Sequence, residues 1–205
     1  DSVRLLIAER KEHAEKLASS INDLNVRRRE FDNKITEEAL QMIQQDEKLL
    51  QAKSTVIFNE NWHKGVIGIV ASRLTDSYYR PTIVLTRSNN LITGSARSIK
   101  NFDIYDAIDN CSDLLEHFGG HKYAAGLSLK PEKLEEFRMR FEEYVANNID
   151  NEELIPELNV DLEINFSDIT PKFVRVLKQF SPFGPGNMAP VFLSRNVIDS
   201  GSSRP

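Results

Sequence analysis

Two short stretches carry residues suited to holding an anion. FGGHKYAAG, residues 118–126, sets Gly119 and Gly120 beside His121 and Lys122, and GSARS, residues 94–98, sets Ser95, Arg97 and Ser98 after a glycine. A glycine pair opens backbone conformations closed to other residues and lets a ligand approach the main chain closely. Backbone N–H groups freed there can form a concave nest, and a helix N-terminus adds positive potential. The Arg97 guanidinium is a planar fork matched to phosphate oxygens, and Ser95, Ser98 and His121 can donate further hydrogen bonds. A third stretch, NWHKGVIGIVASRL at 61–74, puts Trp62, His63 and Gly65 where a strand-like pattern gives way to a helical one.

Each feature also has a plainer reading. Gly65 and Gly68 suit tight helix packing, Trp62 suits a core, and His63 suits the cap of a turn. Those readings come first for the third stretch, with Trp62, His63 and Lys122 kept as further contacts. For His121 the order is reversed, because a core histidine has no need of two glycines beside it. The four histidines (His13, His63, His117, His121) show no convincing ligand spacing, and there is no Cys-x-x-Cys or His-Glu-x-x-His. The expectation is therefore no metal ligand, no bound cofactor and no catalytic group in this chain. Cys111 stands alone within a helical apolar pattern and reads as a small buried hydrophobe, not a nucleophile.

The elements that must position these residues follow from the apolar period. Residues 3–50 are charged and nearly free of glycine and proline, with Leu17, Ile21, Leu24, Ile35, Ala39, Leu40 and Ile43 at helical spacing, which predicts one long helix or two in series. STVIFNE at 54–60 reads as a buried strand, 63–79 as a helix, and 80–98 as two strands joined at 88–90. Residues 103–118 read as a helix with apolar positions 104, 105, 108, 111, 114, 115 and 118. AAGLSLKPE reads as a strand, and Pro131 as the start of another helix. Alternating strands and helices predict an α/β fold with a mixed sheet flanked by helices. Beyond residue 150, LNVDLEINF alternates as a strand does. DITPKFVRVLKQF reads as a short helix capped by Asp168, and SPFGPGNMAPVFLSR as a loop into a second strand before a soft tail at 199–205. The expected domains are a helical connector at 1–52, the α/β domain at 53–150 and a partial β fold at 151–205. The abrupt opening at Asp1 implies a piece of a longer protein.

Lys and Arg number 26 against 31 Asp and Glu, for a net charge of −5, which argues against coating nucleic acid by bulk attraction. Basic residues between 64 and 130 roughly balance the acids there, so a local anion site is permitted. The apolar fraction of 40% with 28% charged is ordinary for a globular chain. No apolar run approaches a membrane span and the start lacks a secretory signal, so the expectation is a cytoplasmic protein without membrane contact.

These motifs resemble a known family. GGHKYAAG is similar to the GGH-x-x-AAG signature of the DHH-associated domain in the DHH phosphoesterase superfamily. Together with NWHKGVIGIVASRL, GSARS and FGPGN at 183–187, and with LNVRRREFDNKITEEA at 24–39 as the connector, it resembles the C-terminal part of the RecJ family of single-strand-specific 5′→3′ DNA exonucleases. The resemblance implies an α/β DHH-associated domain followed by the start of an oligonucleotide-binding fold. It implies single-stranded DNA as partner, a role in DNA repair and recombination, and Mn²⁺ or Mg²⁺ held by a catalytic domain outside this chain. Gly119, Gly120 and His121, with Ser95, Arg97 and Ser98 beside them, would hold substrate phosphate. Other members of the superfamily, which cleave short oligonucleotides or cyclic dinucleotides, and a non-enzymatic module that recruits partner proteins are the alternatives.

Overall fold

The computed structural model describes residues 2–198 and 201. The chain divides into two compact units, Asp1–Pro156 and Glu157–Pro205. The first begins with helices α1 (Ser2–Leu6), α2 (Lys11–Gln45) and α3 (Glu47–Gln51). Asp46 separates the last two: its extended backbone ends α2, and its carboxylate accepts from the N–H groups of Lys48 and Leu49 to start α3. Helix α2 buries Asp32, Ile35, Thr36, Ala39 and Ile43, a stripe confined to its C-terminal part. Leu24, read as part of the same apolar pattern, is exposed.

The α/β region runs β1 (Thr55–Phe58), α4 (Ile67–Tyr78), β2 (Thr82–Ser88), β3 (Leu91–Arg97), α5 (Ile104–Asp109), β4 (Leu115–His121), β5 (Ala124–Leu129) and α6 (Leu134–Asn148). Five strands form one mixed sheet in the order β1-β2-β3-β5-β4. β1 and β2 are parallel, joined through α4, and the remaining pairs are antiparallel. One face packs on α5 and α6 around Ile104, Ile108, Leu129, Phe137 and Phe141. The other packs α4 and the end of α2 over β1 and β2, through Ile57, Val84, Leu74, Val70 and Ile43. Each such side chain contributes about 1.5–3 kcal/mol through removal from water.

The junctions are polar. Glu142 of α6 accepts from the N–H groups of Lys53 and Ser54 at 2.9 Å each, which fixes the start of edge strand β1. Buried Arg80 donates to Thr55 Oγ1 and to the carbonyls of Leu50 and Ala52. Arg73 of α4 meets Asp32 of α2 at 2.8 Å, and the Asp32 carboxylate is almost fully enclosed.

The helix expected over 103–118 is corrected. Asp103 caps α5, which stops after about one and a half turns, and a short 3-10 turn at Ser112–Leu114 leads into β4. Positions 104, 108, 111 and 114 keep the helical spacing because they pack on the core. Leu115 and Phe118 reach the same core from a strand, and pairing with β5 supplies the backbone hydrogen bonds there. A long-range ladder overrides a local pattern at this point.

In the second unit, the strand expected over LNVDLEINF is reduced to β6 (Leu162–Glu163), which pairs in parallel with β7 (Phe192–Leu193). Helix α7 (Pro171–Lys178) is capped by Thr170, whose hydroxyl accepts from Phe173 N, and not by Asp168. Asp168 instead closes a capping box with Asn165. The FGPGN turn is held by Asn187, whose amide donates to the carbonyls of Phe180 and Pro182. Apart from Gly201, the tail read at 199–205 lies outside the described residues.

Candidate functional site

Strand periodicity sorts the side chains of the sheet into two sets, and the register lines one set into three rows across its strands. The first row is Thr55, Thr82, Arg97, Ala124 and His121; the second is Ile57, Val84, Ser95, Gly126 and Gly119. The third is Thr86, Thr93, Ser128 and His117. Where these rows cross β1 and β2 they are buried beneath α4. Where they cross β4 they are exposed, and β3 is intermediate. Helix α4 therefore forms a wall, and the sheet beyond it is an open floor.

Arg97 stands at the foot of that wall. Its Nε donates to Ser72 Oγ of α4 at 3.2 Å, and its Nη1 donates to Ser95 Oγ at 3.0 Å and to the Ala96 carbonyl at 2.8 Å. Nη2 has no hydrogen-bond partner among the described residues. Gly68 makes room for this arrangement, since a Cβ there would lie 3.0 Å from both Arg97 Nη2 and Ser95 Oγ. Burial against α4 pushes the Arg97 pKa below its ordinary value. An arriving anion would restore the interactions that this partial desolvation removes. Because the Ser95 hydroxyl accepts from Arg97, its own hydrogen is free to be donated.

His121 lies in the same row two strands away, at the end of β4. Its Nδ1 accepts from Tyr123 N across the two-residue turn, at 3.3 Å. In the neutral ring the proton then sits on Nε2, which makes that atom a donor. The two glycines before it differ. Gly119 faces the open floor and a Cβ there would meet nothing within 4 Å, whereas a Cβ on Gly120 would collide with the Ala124 carbonyl oxygen. Gly120, with φ of 153°, serves strand packing. Gly119 keeps the floor bare.

The other residues read from the sequence fall elsewhere. Ser98 holds the chain behind β3, with its N–H on the Tyr123 carbonyl and its hydroxyl on the Phe102 carbonyl at 2.8 Å, so its donors are committed. Trp62 is buried and gives its indole N–H to Glu38 at 2.8 Å, which removes it as a stacking surface. The Trp62 carbonyl accepts from Thr86, placing this loop at the third-row end of the floor. His63 Nδ1 accepts from Gly65 N, and its ring stacks on exposed Phe31 at 6.1 Å. Lys122 is exposed in the turn, with its ammonium 5.8 Å from the Tyr123 ring. The structure thus brings together Arg97, Ser95, Gly119 and His121, and leaves Ser98, Gly120 and Trp62 in supporting positions.

Sequence reasoning missed Ser72 and the third row. The signal for Ser72 was its place four residues after Gly68 on one helix face. His117 was hidden by the helical reading of 103–118, since only a strand puts 117, 119 and 121 on one face.

No group of three or more His, Cys, Asp or Glu side chains among the described residues could hold a metal ion. The residues present therefore do not fit a two-metal centre. Cys111 is buried, and burial pushes its thiol up to about 11. No helix of the described residues is long and apolar enough to cross a membrane.

The fold and site place the chain in a defined class. Residues 46–147 match the DHHA1 domain, and residues 160–203 match the RecJ OB domain. Similar proteins include the single-stranded-DNA-specific exonuclease RecJ of Bacillus subtilis, 39% identical over 96% of this chain and 25% of that protein. That of Haemophilus influenzae is 32% identical over 93% of this chain and 34% of that protein. The crystal structure of RecJ from Thermus thermophilus in complex with Mn²⁺ superimposes with a TM-score of 0.82 at 30% identity, covering 93% of this chain and 28% of that one. The chain thus carries a DHHA1 domain and a RecJ OB domain and is similar to RecJ over nearly its whole length. It spans about a quarter to a third of the length of these relatives.

Proposed function

We propose that this chain is the substrate-clamping part of a RecJ-like exonuclease that degrades single-stranded DNA from the 5′ end in the cytoplasm, in repair and recombination. The observation that carries the reading is the half-buried Arg97 with a free Nη2, in one row with the His121 Nε2 donor across Ala124, beside the bare Gly126 and Gly119 of the next row. Donors at both sides of a bare floor suit an extended phosphodiester backbone lying between them. The free Nη2 of a fixed guanidinium on one side donates a charge-assisted hydrogen bond to a phosphate, and an imidazole on the other adds one more. The domain limits proposed are a connector at 1–52, a clamp at 53–150 and an oligonucleotide-binding segment from 151.

Metal-assisted hydrolysis requires a cluster of ligating side chains that the described residues do not bring together. The relatives crystallised with Mg²⁺ and with Mn²⁺ support metal-activated attack of water by a domain elsewhere in the protein. The part described here positions substrate: Arg97 and His121 fix a phosphate, Ser95 donates to it, and α4 holds Arg97 in place through Ser72.

Binding of a labelled single-stranded oligonucleotide to the full-length protein across a salt titration tests this. Arg97→Ala and His121→Ala should each weaken binding, Arg97→Ala by more than about tenfold. Loss of one phosphate contact should flatten the salt dependence by about 0.7 in the log–log slope. Unchanged affinity and slope in both variants would remove the phosphate site from this floor.

A further inference from the structure

We propose that the third row of the open face, His117 with Ser128 and Thr93, is a second contact for single-stranded nucleic acid, gripping the strand beyond the phosphate held at Arg97 and His121. The inference rests on the reading of this face as the substrate floor. His117 and His121 project from the same side of one strand, four residues apart, hence about 13 Å. Between them only Gly119 intervenes, and its neighbour across the ladder is Gly126. A Cβ on Gly119 would meet nothing within 4 Å, and one on Gly126 would meet only the Gly94 carbonyl at 3.8 Å. The floor between the histidines is therefore flat, bare backbone over two strands, and a chain lying on it reaches both imidazoles.

The donors of this row are available. His117 is exposed and Ser128 partly exposed, and neither side chain makes a hydrogen bond or ion pair among the described residues. The Thr93 hydroxyl makes one long bond, 3.4 Å, to the Leu127 carbonyl. Glu116, next in the chain, is paired with Lys130 at 3.5 Å, so its carboxylate is partly neutralised. The opposite neighbours of His117 in the alternation, such as Phe118, face the core. Strand geometry thus commits His117 to the open side. A contact offset along the strand from the first phosphate has a defined signature. It strengthens binding only of ligands long enough to reach it.

The experiment uses the full-length protein without divalent metal, so that binding is read without cleavage. Affinities are measured for a 5′-phosphorylated thymidine dinucleotide and a twelve-nucleotide oligothymidylate. His117→Ala should weaken the twelve-nucleotide strand by about fivefold to tenfold, the size of one hydrogen-bonded contact, and leave the dinucleotide unchanged. His117→Lys should restore the longer strand, and the exposed position should leave the melting temperature of both variants unaltered. Equal weakening of both ligands, no weakening of either, or failure of lysine to restore binding would overturn the second contact. Failure of the underlying reading looks different: Arg97→Ala and His121→Ala would then leave both ligands untouched.

Discussion

One face of one sheet is used in two ways. Over β1 and β2 the rows contain Thr55, Ile57, Thr82 and Val84, closed beneath α4 and α2. Over β5 and β4 the same rows contain Ala124, Gly126, Gly119 and His121, with Gly119, Gly126 and His121 exposed. The pleat is the same in both halves; what differs is side-chain volume and cover. Large branched residues need a helix to exclude water, while glycine and alanine bury little area and need none. Removing bulk from one half leaves the same sheet a folding core on one side and an open face on the other, with Arg97 on the strand between the two.

The largest effect expected from this division is in the covered half. Ile57→Ala should cost about 2–5 kcal/mol in chemical denaturation, the range for deleting a buried branched side chain. In the same row, Gly119→Ala should change stability by less than about 0.5 kcal/mol, because its Cβ enters open space. Comparable losses at both positions would break the comparison.

Next, Gly120→Ala should cost about 1–3 kcal/mol, since its Cβ would press on the Ala124 carbonyl and on Ala125. Adjacent glycines would then separate into one kept for packing and one kept for access. Arg73→Ala should cost about 2 kcal/mol by leaving the enclosed Asp32 carboxylate with only the Thr36 hydroxyl. Thermal melts of the two variants check both.

The smallest effect concerns Cys111. Both folded and unfolded thiols are neutral well below pH 9, so its contribution is complete there. Between pH 9 and about 11 the unfolded thiol ionises while the buried one does not, and stability falls as pH rises. Cys111→Ala should flatten that part of the stability profile, and a thiol reagent should label the native protein slowly.

Much of this was legible in the sequence. Period and punctuation placed β1, α4, β2, β3, β5 and α6, and residue type singled out Arg97, Ser95 and His121, which the fold sets on one face of the sheet, because those properties are local. The motifs also carried the family likeness. Three things were decided only in the folded chain. Whether 115–121 is helix or strand depended on β5 lying alongside, so the position of His117 was hidden. Trp62 and Ser98 had the right chemistry, yet Glu38, Thr86 and Phe102, distant in sequence or ordinary in type, claimed their polar groups. The two glycines were indistinguishable as letters, and the difference came from what stands opposite each: for Gly120 a carbonyl of the neighbouring strand, for Gly119 open space. A sequence states what each residue can donate, accept or fill, whereas register and packing decide which of those capacities are already satisfied and which are left for a ligand.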